Sequence, residues 1–289
     1  MTTAADRTSG DPAHPDRAGE VRVAVVQLDA SGDPASSRAA AVDAVESAAE
    51  AGAALVVLPE YASGWAPRLG PELAVADSFV PALQEAARRS GAAVVAGTVE
   101  RGADQSRGRN VAVAIGADGS VSGTYAKVHL YDAFGVRESD FLDAGAPDDD
   151  GAPLVVDVIA PSGGVVRVGV LTCYDLRFPE SARVLVDAGA DVLAIGAAWA
   201  AGEHKADHLR TLARARAIEN TSWLLLASQC GRGRTGRSAV IDPLGVVESE
   251  ADGEAPAVVV ADVSAARVAR VRATNPALAH RRYAVVPRA

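Results

Sequence analysis

Two cysteines in 289 residues cannot form a disulfide framework, and their spacing matches no thiolate metal site. Without disulfides, a reducing, cytoplasmic compartment is the expected location. Aromatic residues are scarce, at 4%. The core must then be assembled from small apolar side chains, which suits layered sheet and helix better than an aromatic-rich β-sandwich. Basic residues are fewer than acidic ones, 28 against 37, for a net charge of −9. This excludes nucleic acid as a principal partner, because phosphate neutralisation needs a basic surface. No apolar run is long enough to cross a bilayer, so no membrane partner is expected. The first twenty residues lack an apolar segment and read as a disordered tail rather than a signal peptide. No linker or repeat divides residues 21–289, which read as one domain.

Apolar residues nevertheless make up 49% of the chain. They fall into short continuous runs, "VRVAVVQLD" (21–29), "ALVVLPE" (54–60) and "AAVVAGTVE" (92–100), the pattern of strands buried on both faces. Helices are expected over 34–52 and 77–91, each stopped by glycine, and over 179–189 and 205–220. "ADGS" and "PSGG" mark hairpin turns within 110–130 and 154–173. Further strands are expected over 190–199, 222–230, 238–249 and 256–263, and a helix after Ala265. Strands that alternate with helices but also form hairpins imply mixed sheets.

Three strand ends carry reactive side chains: Glu60 after "LVVLP", Lys127 in "YAKVHLYD" and Cys173 after "VVRVGVLT". Ligands of α/β sheets collect at the carboxyl ends of strands. Brought together there, the three would form a hydrolytic centre. The cysteine attacks a carbonyl carbon, and the lysine lowers the thiol pKa and holds the oxyanion. The carboxylate moves the protons. Histidine is not needed, since a carboxylate in a dry site can do acid–base work. A helix start just after Cys173 is expected to favour the thiolate further.

The segments "VVLPEYA", "YAKVHLYD", "GVLTCYDLRFPE", "ASQCGRGRTGRSAVIDPLGVV" and "NPALAHRR" resemble the nitrilase, or carbon–nitrogen hydrolase, superfamily over residues 20 to 285. Around the cysteine the similarity is to its amidase branch, which includes the ω-amidases and deaminated-glutathione amidases. The resemblance implies an α/β fold, a four-layer αββα sandwich with mixed sheets. It implies Cys173 as nucleophile, Glu60 as general base and Lys127 as oxyanion holder with the Tyr174 backbone N–H. Glu138 in "FGVRES" takes the place of the family's second glutamate. It implies no metal or organic cofactor, a thioester intermediate, a small amide as substrate and a homodimer or higher homo-oligomer. Tyr61, His129, Trp199, His204 and Arg232 are the candidates for substrate contact.

Other readings stand beside these. "GRGRTGR" (231–237) reads either as a flexible solvated loop or as a source of Arg232, Arg234 or Arg237 for bidentate pairing with a substrate carboxylate, and the amide is expected to bear that carboxylate. An N-carbamoyl amino acid would present the same reactive carbon, and an idle scaffold is the non-enzymatic alternative. Asp175 and Arg177 read as structural, a helix cap and an ion pair. His204 and His208 share a helix face, but "GEHKADH" lacks the glutamate and third ligand of a zinc site. Cys230, at the end of an apolar strand, reads as structural.

Overall fold

The computed structural model describes residues 19–64, 75–102 and 106–288. Nearly all of the tail expected over 1–20 lies outside the described residues. Side chains of a strand alternate between two faces. In β1 (Val21–Gln27), Val21, Val23 and Val25 enter one core, while Ala24 and Val26 enter another. Each fully buried valine contributes about 1.5–3 kcal/mol of hydrophobic stabilisation.

One sheet has the order β13 (Ala257–Val263), β1, β2 (Leu55–Val57), β3 (Ala93–Arg101), β4 (Gly108–Ile115) and β5 (Val121–Ala126), with β6 (Leu142–Asp143) beside β4. The other runs β12 (Val247–Glu250), β11 (Ala239–Ile241), β10 (Trp223–Ser228), β9 (Val192–Ala197), β8 (Val165–Thr172) and β7 (Val155–Ile159). The strands β1–β2–β3 and β8–β9–β10 are parallel, with antiparallel neighbours at their flanks. The sheets pack through valine and alanine, with Tyr125 and Trp223 the aromatic members of that core. Helices α1 (Pro34–Glu50) and α2 (Ala76–Ser90) cover the first sheet, and α3 (Pro179–Asp187) and α4 (Lys205–Asn220) the second. These are the four layers expected. The helix expected near the end of the chain is α5 (Ala265–Thr274).

Local chemistry explains the boundaries. Asp33 caps α1 by accepting from the Ala35 and Ser36 amides at 2.9 and 3.1 Å, with Pro34 in the first turn. Ser264 caps α5 in the same way, its hydroxyl accepting from the Arg267 amide at 3.2 Å. Gly91 ends α2 at φ 70°, a left-handed conformation suited to glycine. The expected strand over 238–249 is instead two, β11 and β12. Asp242 turns the chain between them, accepting from the Leu244 and Val246 amides.

Candidate active site

Glu60 follows β2 in a turn wedged between the sheets. A Cβ on Gly97 of β3 would lie 2.5 Å from the Glu60 Cα, and one on Gly196 of β9 would lie 2.9 Å from its amide nitrogen. Only glycine on both strands leaves room for this main chain. Gln229 Nε2 donates to the Glu60 carbonyl at 2.7 Å and fixes the turn further.

Four expected residues meet at the floor of a cavity of about 580 Å³: Glu60, Lys127, Glu138 and Cys173. Lys127 Nζ donates to Glu60 Oε1 at 2.8 Å and to Glu138 Oε2 and Oε1 at 2.9 and 3.1 Å. The Ala198 amide donates to Glu60 Oε2 at 2.9 Å. Glu138 also accepts from the Tyr61 hydroxyl and from the Tyr131 amide, the latter at 2.6 Å. Burial would raise the Glu138 pKa, but Lys127 and these donors outweigh it and hold the carboxyl below its ordinary range. Burial alone would also discharge Lys127. The charges of Glu138 and Glu60 prevail and push its pKa well up.

Cys173 begins a 3-10 turn (Cys173–Arg177) directly after β8, with φ 44°. The left-handed backbone of a non-glycine residue costs about 1–3 kcal/mol and is retained where surrounding structure demands it. Asp175 demands it here, accepting from the Thr172 amide at 3.0 Å and from the Tyr125 hydroxyl at 2.9 Å. Asp175 is therefore structural, as the sequence suggests. The thiol corrects the expectation of a stabilised thiolate. Lys127 does pull its pKa down, but burial first, and then Glu60, push it well above the ordinary range. Two carboxylates already share the Lys127 ammonium, so a resting thiolate would place a third negative charge against it. The thiol therefore rests neutral. Cys230 is buried and inert by comparison, its thiol pushed up to about 11 by burial and Asp29.

The remaining candidates divide. Tyr61, Tyr174 and Trp199 line the cavity. His129 does not: its Nδ1 lies 2.7 Å from Asp175 Oδ1, and its ring stacks on Phe178 at 3.8 Å. His204 points away, with a side chain 71% exposed and beside Glu203. Its φ of 58° turns the chain, so the next residue, Lys205, enters the cavity instead. Arg232 is likewise exposed, and Arg234 takes its place because its backbone bridges Ala200. Arg177 does not form the expected ion pair. Its Nε and Nη2 are buried without hydrogen-bond partners among the described residues, and its guanidinium lies 4.9 Å from the Trp199 ring. Asn110 is a site residue that the sequence does not single out. Its Nδ2 donates to Glu60 Oε1 and to the Tyr61 oxygen, each at 2.8 Å. An asparagine opening the apolar run "NVAVAI" is the signal for it.

A profile described as carbon-nitrogen hydrolase matches residues 22–273. The deaminated glutathione amidase of Escherichia coli O157:H7 is 43% identical over 178 residues, which cover 62% of this chain and 64% of that relative. The deaminated glutathione amidase of Synechocystis sp. (strain PCC 6803 / GT-S) is 32% identical over 251 residues, 83% of this chain and 90% of the relative. Among solved structures, a double mutant of the amidase from Nesterenkonia sp. AN1 in complex with acrylamide superposes with a TM-score of 0.74. It is 27% identical and covers 92% of this chain and 95% of that one. Matched through nearly all of its described length, this chain belongs to the carbon–nitrogen hydrolase family.

Proposed function

We propose that residues 21–289 act as one cysteine-dependent amidase that cleaves a small, carboxylate-bearing amide to acid and ammonia. The observation that carries this reading is that Cys173 shares one cavity floor with Glu60 and with Lys127, whose ammonium is held between Glu60 and Glu138. As the Sγ–C bond forms, the thiol proton passes to Glu60 and the carbonyl oxygen becomes an oxyanion. Lys127 Nζ and the Tyr174 N–H hold that oxyanion. Glu60 then protonates the leaving nitrogen, the C–N bond breaks, and ammonia departs from a thioester. Water attacks the thioester, its proton goes to Glu60, and Cys173 recovers the proton as the carboxylic acid leaves. Glu138 keeps Lys127 charged and in place throughout. Arg177, with its buried Nε and Nη2 lacking partners among the described residues, is the anchor for the substrate carboxylate.

The deaminated glutathione amidase relatives support a substrate of this carboxylate-bearing class. Among the described residues no helix is long and apolar enough to cross a membrane. A cytoplasmic location suits the two free cysteines, and the expected assembly is a homodimer or higher homo-oligomer. The decisive experiment is ammonia release from a panel of dicarboxylic monoamides by wild type and Cys173→Ala. Wild type should release ammonia, and Cys173→Ala should lose that activity while keeping its circular dichroism spectrum. Full activity in the variant overturns the assignment. Carbon dioxide release from carbamoyl amino acids would mark a ureido hydrolase instead.

A further inference from the structure

The charged residues of the cavity can be paired off. Glu60 and Glu138 are offset by Lys127 and by Arg234, whose charge is felt by Glu60, and Arg137 pairs with Asp140 at 3.1 Å. Arg177 and Lys205 are left over. Among the described residues neither has a carboxylate partner within ion-pair distance.

Lysine usage makes Lys205 stand out. The 28 basic residues of the chain include only two lysines, Lys127 and Lys205. Both line the cavity, with 1% and 9% of their surface exposed. All the other basic side chains, including those facing solvent, are arginine. Both ammonium groups of the chain thus line the same cavity, and a compact point charge is not interchangeable with a guanidinium fork.

Its setting is electrostatically adverse. Lys205 opens α4, where the positive end of the helix disfavours a cation. Burial, and then the neighbouring Arg177, pull its pKa below the ordinary range. Its near partners are neutral: the Tyr131 hydroxyl at 3.1 Å and the Phe134 ring at 3.2 Å. Trp199 serves both cations, since its Nε1 donates to the Lys205 carbonyl at 2.9 Å and its ring carries Arg177. None of these contacts requires two like charges side by side.

We infer that Arg177 and Lys205 form a two-cation seat for a dianion, so that the preferred amide carries two carboxylates and Lys205 selects it over monoanionic amides. The substrate part of this inference rests on the amidase reading above. The seat itself is tested without turnover.

Full-length protein is pulsed with an amine-acetylating ester at neutral pH, with or without glutarate or butyrate at matched ionic strength. Peptide mass spectrometry then reads the two lysines separately. Lys205 should acetylate faster than the ion-paired Lys127, and glutarate should protect Lys205 at about tenfold lower concentration than butyrate, the effect of one added charge-assisted hydrogen bond. In calorimetry, Lys205→Met should raise the Kd for glutarate by about tenfold more than that for butyrate, with Lys205→Arg recovering most of the loss. Equal protection by the two acids, or an unchanged ratio of Kd values in Lys205→Met, overturns the seat. Ammonia release dependent on Cys173 is scored apart from these, so a failed seat and a failed amidase reading are distinguishable.

Discussion

The floor and the wall of the cavity solve opposite problems. On the floor every carboxylate oxygen has a donor: Lys127 meets both Glu60 and Glu138, Asn110, Tyr61 and Tyr131 donate to the oxygens it shares, and the Ala198 amide donates to Glu60 Oε2. On the wall, Arg177 and Lys205 rest on aromatic rings, and among the described residues no carboxylate lies within ion-pair distance of either. Burying an unanswered charge costs stability, and a protein retains one where something else supplies the counter-charge. The floor is complete before substrate arrives, which keeps the reacting groups in place. In the proposed seat, substrate completes the wall.

Removing the shared cation is the most severe way to break this contrast. Lys127→Met should abolish turnover and cost about 3–5 kcal/mol of stability, read as a lowered Tm, because two buried carboxylates lose their partner. Next in size is Glu60→Gln. Loss of a positioned base should lower kcat by about 10²–10⁴. The same substitution removes a negative neighbour that favours the neutral thiol, so the Cys173 pKa should fall. The pH profile of alkylation at Cys173 would then move to lower pH while turnover is lost. A profile that stays put or rises would contradict the account of the thiol. The smallest effect is expected on the wall. Arg177→Met should raise KM about tenfold with kcat less affected, and Tm should hold or rise, since a buried cation beside another is removed. A Tm drop as large as that of Lys127→Met would erase the distinction between the two regions.

Much of the fold is legible in short-range pattern. Continuous apolar runs become strands buried on both faces, and Gly91 stops α2 where expected. The break between β11 and β12 is harder to read. Its aspartate and glycine are ordinary turn residues, but the apolar residues around them make the whole segment look like one strand. The floor is legible because strand ends converge in a layered sheet. The wall is less so, for geometric reasons. A left-handed backbone at His204 carries that side chain into solvent and Lys205 into the cavity, and no glycine announces it. The bridge between Ala200 and Arg234 decides which loop arginine faces inward. An arginine without a carboxylate partner cannot be read from a sequence rich in carboxylates. The direction of the Cys173 shift depends on burial and on net charge at close range, neither of which a strand-end position specifies.

The glycine slot around Glu60 has a mechanical side. Gly97 belongs to one sheet and Gly196 to the other, and the general base is threaded between them. The separation of the two sheets is therefore also a coordinate of the reaction. A fraction of an ångström of spreading or sliding would shift the carboxylate relative to a sulfur carried by β8. With Glu60 as the proposed general base, catalytic rate would gauge how tightly the sandwich is closed, and pressure or strain on the outer helix layers would register in the chemistry without anything entering the cavity.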